Sequence, residues 1–192
     1  MSVARETLTR SQAARRGRVI KAAMELAAQG GYDAVQMRDV ASGAQVALGT
    51  IYRYFSSKDH LLAASLLEWS NDLQRRVAAK PPRGETTGEK VVDVLTRATR
   101  SMQRSRSLTA ALIVAVTSSD PAVRECQREL SGVMVAVLYQ AMDDIVDEDL
   151  KADVCRVLTH VWFSALVGWV NEWQPNGDVV EEVQVAVRRL LP

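Results

Sequence analysis

Apolar residues recur every three or four positions along most of this 192-residue chain, which is the period of a helix with one buried face. No segment alternates apolar and polar residues as a half-buried strand does. The helical segments are separated by helix breakers, including the pair Gly30-Gly31 and the stretch 80–84, which holds two prolines and a glycine. This pattern predicts an all-α protein without internal repeats.

Start and stop signals divide the chain into nine predicted helices. Ser11, and either Ser56 or Ser57, stand where helix caps are expected, Thr86 with Glu89 forms a capping-box pattern, and Pro121 suits a first helical position. The predicted helices span residues 11–29, 37–44, 48–54, 57–79, 88–104, 107–117, 121–144, 150–173 and 178–190, with a stop at 175–177 after the eighth. We expect an N-terminal unit, 1–56, and a C-terminal unit, 57–192.

The charge is unevenly distributed along the chain. The whole chain has a formal net charge of +1, but residues 1–60 hold nine basic and five acidic side chains, a net of +4, and the remainder is net negative. A basic N-terminal segment on a mildly acidic body is typical of a protein that meets a polyanion there. A solvated helix face would show the same charges, so charge alone leaves both interpretations open.

Several classes of protein are disfavoured by the sequence. The longest apolar stretches reach about ten residues, and a membrane-spanning helix needs about 20. Cys126 and Cys155 lack metal-ligand spacing and provide no disulfide framework, so we expect a cytoplasmic protein without a metal or cofactor. Neither His60 nor His160 has an evident nucleophile or orienting acid beside it, so we do not expect an enzyme.

Two short predicted helices joined by the turn 45–47 follow a longer one, which is the arrangement of a helix-turn-helix. The second short helix would present Leu48, Thr50, Arg53 and Tyr54 outward, and Gly49 would permit close approach of the backbone to a phosphate. Arg38 begins the first short helix, where it would reach a phosphate or a guanine edge. A plain three-helix corner is the alternative interpretation of this pattern.

The residues of this unit resemble the TetR-type transcriptional regulators. The resemblance is carried by the runs 31–41 and 46–58, above all by Gly-Thr-Ile-Tyr-Arg-Tyr-Phe at 49–55, with Ser57-Lys58 and Leu61 after it. It covers about residues 13–73. The resemblance implies a nine-helix dimer with an operator-binding head and a C-terminal bundle that binds a ligand and dimerises.

The resemblance also implies which residues face double-stranded operator DNA. Thr50 and Arg53 occupy groove-facing positions of the recognition helix, while Tyr52, Tyr54 and Lys58 occupy phosphate-facing positions. Two positions depart from the family pattern, because Gln36 and Ala47 replace the usual capping residues. The expected DNA-binding residues are Gln36, Arg38, Leu48, Gly49, Thr50, Tyr52, Arg53, Tyr54 and Lys58.

The predicted helix 150–173 is apolar on two faces, so it must be buried on most sides. One face suits a two-fold partner, with Val154, Leu158, Val161, Ala165, Gly168, Val183 and Val187 as the expected interface. Packing within one protomer is the alternative. The expected lining of an apolar ligand pocket is Leu66, Trp69, Met102, Leu112, Ala115, Met134, Trp162, Phe163 and Leu166, although each also suits an ordinary core.

The sequence therefore predicts a dimeric repressor that leaves a palindromic operator when a small effector binds. The head and the run 161–169 are similar to actinobacterial repressors of sterol and lipid catabolism, which implies an apolar, lipid- or sterol-like effector. Two alternatives remain open from the sequence. One is a helical small-molecule-binding protein or enzyme with a purely structural head, and the other is a non-specific architectural DNA binder.

Overall fold

A computed structural model describes residues 9–173 and 178–191, and within these ranges the chain forms nine helices and no strand. The prediction of an all-α fold with nine helices is confirmed. The helices are α1 (Arg10–Ala34), α2 (Met37–Ala44), α3 (Leu48–Tyr54), α4 (Lys58–Ala79), α5 (Thr87–Met102), α6 (Arg106–Val116), α7 (Pro121–Tyr139), α8 (Glu148–Asn171) and α9 (Val179–Leu190).

Local capping explains where the helix ends differ from the prediction. Thr9 rather than Ser11 caps α1, because its hydroxyl and the Gln12 side chain form a reciprocal capping box. Asp147 caps α8 by accepting hydrogen bonds from the backbone N–H groups of Asp149 and Leu150, so that helix begins two residues early. The α7 helix ends at Tyr139, five residues early. The predicted stop at 175–177 and the basic residue Arg5 lie outside the described residues.

The pair Gly30-Gly31 interrupts α1 near its end, because both residues have non-helical backbone angles, as the predicted stop at this pair expects. Gly31 has φ 71°, which an L side chain adopts only with strain, and a Cβ on Gly30 would lie 2.7 Å from the Cβ of Ala34. The chain after the bend runs as one further helical turn to Ala34. Both glycines are therefore required by the local geometry.

The head is the compact unit of α1, α2 and α3. Val19 and Ala23 of α1 pack with Val40 of α2 and Ile51 of α3, and Phe55 closes this core just after α3. All five are almost completely buried. This packing holds α3 against α1 and α2 and leaves its opposite side free.

The body is a bundle in which α4 packs on α6 and α7, and α9 packs on α5 and α8. The head joins it through α4 and through α1, which packs along α6. One buried apolar cluster runs through both units. The division of the chain between residues 56 and 57 stays a prediction, since contacts between α1 and α6 cross it.

Across the described ranges, no helix is both long enough and apolar enough to cross a membrane. The same ranges contain no cluster of three or more side chains of the types that ligate metals. Cys126 and Cys155 are free, buried thiols. Burial raises the pKa of Cys155 to about 11, so this thiol stays protonated at neutral pH.

Candidate DNA-binding surface and ligand cavity

The outer side of α3 is the most exposed part of the head that carries the expected DNA-binding residues. Arg53 and Gly49 are exposed, Tyr52 is 52% exposed, and Leu48 and Thr50 are half-buried. Ile51, on the opposite side, is fully buried and anchors the helix. The structure thus brings a guanidinium, a hydroxyl and a phenol onto one short helix, a set that suits base edges and phosphates.

The first short helix contributes Arg38, which is exposed in the first turn of α2. Gln36 precedes this helix and makes no side-chain cap; its amide instead donates a 2.9 Å hydrogen bond to the carbonyl of Asp33. Ala47 likewise caps nothing at the start of α3. Both helix starts keep backbone N–H groups without a side-chain cap, as the departures at these two positions predict.

Tyr54 is the one expected DNA contact that faces inward. Its hydroxyl oxygen is buried and has no hydrogen-bond partner among the described residues. The guanidinium of Arg53 lies 5.4 Å from the centroid of its ring. The prediction that the Tyr54 hydroxyl reaches a phosphate is wrong for this conformation, because the ring packs into the head beside Phe55.

Lys58 begins α4 with its ammonium already engaged. Its Nζ donates a 3.1 Å hydrogen bond to the carbonyl of Tyr32 and lies 3.7 Å from the centroid of the Tyr32 ring. The Tyr32 hydroxyl donates a 2.5 Å hydrogen bond to Oδ1 of Asp59. Sequence reasoning missed Tyr32, because Tyr32 is 26 positions before Lys58 and 27 before Asp59. These residues meet only because α2 and α3 fold between α1 and α4.

The start of α4 is also bonded to the body. The Ser57 hydroxyl accepts a hydrogen bond from the backbone N–H of His60 and donates one of 2.8 Å to Oδ2 of Asp120, the residue that caps α7. His60 accepts a hydrogen bond at Nδ1 from the backbone N–H of Ser56. Burial lowers the pKa of His60, Arg16 lowers it further, and the charge of Asp120 opposes the shift.

A cavity of 370 Å³ lies among α4, α5, α6, α7 and α8. Eight of the nine expected pocket residues line it: Leu66, Trp69, Met102, Leu112, Met134, Trp162, Phe163 and Leu166. Ala115 does not line it. That residue is fully buried on a different side of α6, within the core, so its place in the pocket was wrong.

Two tryptophans form the inner wall of the cavity. The rings of Trp69 and Trp162 stack with centroids 6.3 Å apart and an angle of 17° between their planes. Each indole N–H already has an acceptor, at 3.0 Å on Ser101 for Trp69 and at 2.9 Å on Thr99 for Trp162. The wall therefore offers ring faces and no free donor, which suits an apolar group.

Polar side chains also line the cavity, where sequence reasoning placed none. They are Thr117, Gln127, Ser131, Thr159 and His160, together with the buried Thr109, whose hydroxyl donates to the carbonyl of Met102. Ser131 and His160 are exposed and Phe163 is 36% exposed, so the mouth of the cavity lies beside these residues. The Gln127 amide donates a hydrogen bond to the carbonyl of Val116. An apolar interior with a polar mouth is an amphipathic binding site.

Comparison with known proteins identifies the family. The family model described as bacterial regulatory proteins, tetR family, matches residues 19–65, and the model described as tetracyclin repressor-like, C-terminal domain, matches residues 84–190. The chain belongs to the tetR family of regulators. The resemblance that the residues of the head carry is confirmed.

Individual relatives agree with this assignment. The chain is 36% identical over 181 residues to the HTH-type transcriptional repressor KstR of Rhodococcus jostii strain RHA1, over 94% of this chain and 84% of the relative. It matches the crystal structure of a TetR transcriptional regulator from Rhodococcus sp. RHA1 with a TM-score of 0.85 and 29% identity, over 94% and 97% of the two chains.

More distant members share the fold. The crystal structure of Thermus thermophilus FadR, a TetR-family repressor in complex with lauroyl-CoA, matches with a TM-score of 0.72 at 22% identity, over 92% and 93% of the two chains.

The chain is a TetR-family transcriptional repressor similar to KstR and not an enzyme, as predicted. The hypothesis of an enzyme with a purely structural head is thereby wrong.

The expected dimer face divides into two groups. Val154, Leu158, Val183 and Val187 are almost fully buried inside the protomer, where α8 and α9 pack on the core, so assigning them to a partner surface was wrong. Val161, Ala165 and Gly168 instead line a groove of 410 Å³ along the outer side of α8. Exposed apolar side chains lie on the same two helices, among them Val157 on α8 and Val185 on α9.

Proposed function

We propose that this repressor binds a palindromic operator as a dimer and is released when an amphipathic effector enters the cavity of the body. The observation that carries the proposal is the cavity itself, which is lined by stacked indoles and by exposed polar side chains at its mouth. Its volume of 370 Å³ falls within the range of about 300–1,000 Å³ of small-molecule sites.

The effector that fits has an apolar body of lipid or sterol type and a polar end. The indole faces of Trp69 and Trp162 receive the apolar body, and the polar end lies at the mouth beside Gln127 and Ser131. Thermus thermophilus FadR, which shares this fold, forms a complex with lauroyl-CoA. We therefore propose an acyl-CoA or a related thioester, whose large polar portion would extend from the mouth into solvent.

Release follows if the effector prefers a different position of α4. Leu66 and Trp69 of α4 line the cavity, and the same helix begins at Lys58, beside the DNA-facing surface of the head. An effector that binds a displaced α4 tenfold better shifts the equilibrium by about 1.4 kcal/mol per site. Two heads held by one dimer must match the spacing of two half-sites, so a displacement of either head weakens operator binding.

Two measurements test the proposal. Saturated acyl-CoA thioesters of increasing chain length and free CoA are titrated into the protein while tryptophan fluorescence is recorded. They are then added to a gel shift with DNA from upstream of its own gene. We expect longer thioesters to change the fluorescence and release the DNA, and free CoA to do neither. Release without dependence on chain length would contradict the apolar cavity as the binding site.

Phe163→Ala sharpens this test, because Phe163 stands at the mouth of the cavity. We expect it to weaken thioester binding by about three- to tenfold through lost apolar contact while leaving the operator affinity unchanged. Val114→Ala is the control, since Val114 on α6 is also an exposed apolar residue but does not line the cavity. Equal weakening by both variants would place the effector elsewhere.

A further inference from the structure

The ammonium of Lys58 is held by two groups of Tyr32. Its Nζ lies 3.1 Å from the backbone carbonyl oxygen of Tyr32 and 3.7 Å from the centroid of the same residue's ring. A lysine side chain on a helix surface otherwise samples many rotamers and loses that freedom when it binds. In this head the freedom is already restricted before any partner arrives.

Tyr32 reaches Lys58 because of the bend at the end of α1. The positive φ of Gly31 turns the chain, so that the helical turn after it packs on the first turn of α4. Without the bend, α1 would carry residue 32 onward along its axis. The glycine pair therefore does more than end the main part of the helix. It also places the Tyr32 ring against the ammonium of Lys58.

The hydroxyl of Tyr32 acts on the next residue of α4. It donates a 2.5 Å hydrogen bond to Oδ1 of Asp59. Burial and the bond to Asp59 raise the pKa of Tyr32 to about 12, so the hydroxyl remains a donor throughout the physiological range. Asp59 adjoins Lys58, and its charge would both compete for the ammonium and repel a phosphate. The hydroxyl occupies one of its oxygens.

We infer that Tyr32 is a positioning residue for DNA binding: its ring and carbonyl hold the Lys58 ammonium at the surface of the head, and its hydroxyl engages Asp59. This inference rests on the proposed contact between Lys58 and a phosphate of the operator. Lys58 then reaches the phosphate from a restrained position. The ring contributes through the face that binds the cation, a contact that does not need the hydroxyl.

A double-mutant cycle tests the inference with a mixed-sequence 30-base-pair duplex as the probe, because phosphate contacts do not depend on base sequence. Binding is followed by fluorescence anisotropy between 50 and 200 mM NaCl. We expect Lys58→Ala to reduce the slope of log affinity against log salt by about 1 per subunit. Tyr32→Leu should weaken binding about threefold in the natural background and not at all in the Lys58→Ala background.

Two further variants separate the parts of the side chain and the effect of folding. Tyr32→Phe keeps the ring but removes the hydroxyl that bonds Asp59, so we expect it to weaken DNA binding by less than Tyr32→Leu does. Its effect should be larger at low salt than at high salt, because salt screens the charge of Asp59. Tyr139→Leu is the matched control, because the Nζ of Lys151 lies 5.5 Å from the Tyr139 ring in the body, away from the head. It should leave DNA binding unchanged. Circular dichroism melts report the stability of every variant.

Three results would overturn the inference. Equal weakening by Tyr32→Leu in both backgrounds would mean that it acts through folding of the head. Lys58→Ala with an unchanged salt slope would remove the contact that Tyr32 is inferred to serve. If the unmodified protein binds no duplex at 50 mM NaCl, the DNA-binding function itself is contradicted. The first two results differ from this one, because in both of them the unmodified protein still binds.

Discussion

At the scale of single residues, neighbouring tyrosines in the recognition helix have opposite environments. Tyr52 is exposed on the outer side of α3, whereas the hydroxyl of Tyr54 is buried in the head. The two are two positions apart, and two positions turn a helix by about 200°. A family motif that contains both therefore supplies one residue to the DNA-facing side and one to the packing of the head.

Arg53 is the residue of α3 best placed to read a base. We expect Arg53→Ala to cost about 1–3 kcal/mol of operator binding and to relax specificity at one base position, since a guanidinium bonds a guanine through two donors. The measurement is anisotropy with the operator and its single-base variants. Arg75→Ala, on an exposed part of α4, is the control. Equal loss on every sequence would assign Arg53 to phosphate contact instead.

His60 makes the stability of the head depend on pH. Burial first, and then the charge of Arg16, lower its pKa below the ordinary value of 6.5, against the attraction of Asp120. The unfolded chain therefore binds the proton more readily, so stability is complete above about pH 6.5 and falls as the pH decreases below it. His60→Gln should flatten the decrease in melting temperature between pH 7 and 5. His160→Gln, at an exposed site, should leave that decrease unchanged. If the melting temperatures of both variants depend on pH as those of the unmodified protein do, His60 is not responsible.

At the scale of elements, the apolar residues of α8 lie in three environments. Leu158 is buried in the protomer core, Trp162 lines the cavity, and Val161, Ala165 and Gly168 line an outer groove. Trp173, just beyond the helix, adds a 66% exposed indole to that groove. The apolar residues of the groove need a partner, and a second copy of the chain supplies it in the proposed dimer.

Gly168→Arg tests this outer side of α8. A Cβ added at Gly168 meets no atom within 4 Å in the protomer, so the substitution should leave folding intact and act only on a partner. We expect monomers in sedimentation velocity, unchanged helical content and at least tenfold weaker operator binding. Gly132→Arg, at an exposed glycine of α7 where an added Cβ also meets no atom within 4 Å, controls for the added charge. A Gly168→Arg protein that stays a tight, DNA-competent dimer would contradict the interface.

At the scale of the whole molecule, the head and the cavity meet at the beginning of α4. The junction after α6 leads from Thr117, at the cavity, to Asp120, whose carboxylate accepts the hydrogen bond of Ser57. That bond joins the caps of α4 and α7, the two helices that pack most extensively together. Thr117 is thus three residues from Asp120, and Asp120 is hydrogen-bonded to the cap of α4. A displacement at the cavity mouth can therefore reach the start of the helix that carries Lys58.

Asp120→Ser separates the link from the cap. Serine still caps a helix, but its shorter side chain does not reach Ser57. We expect operator affinity without effector to stay within about twofold, while the factor by which a bound thioester weakens it becomes smaller. Asp120→Asn, which keeps the length of the side chain, should retain most of that factor. If Asp120→Ser preserves the full factor in a gel-shift titration, coupling runs through another contact.

Much of the fold could be predicted because its determinants are local. The spacing of apolar residues, the breakers at 30–31 and 80–84, the capping box at Thr86 and the first-turn proline Pro121 each act within a few residues of where they stand. The same holds for the motif at 49–55. Eight of nine expected pocket residues line one cavity because each lies on a predicted helix face that must turn inward.

Only the tertiary structure decided which inward-facing residues meet one another. Val154 and Val161 belong to one apolar side of α8 by periodicity, yet α9 and the core cover the first and leave the second in a groove. Tyr32 meets Lys58 across 26 positions, and the cavity mouth gathers polar residues from α6, α7 and α8. A residue's own segment sets its helical face, but the free energy of burying that face depends on the elements packed against it, which are distant in sequence.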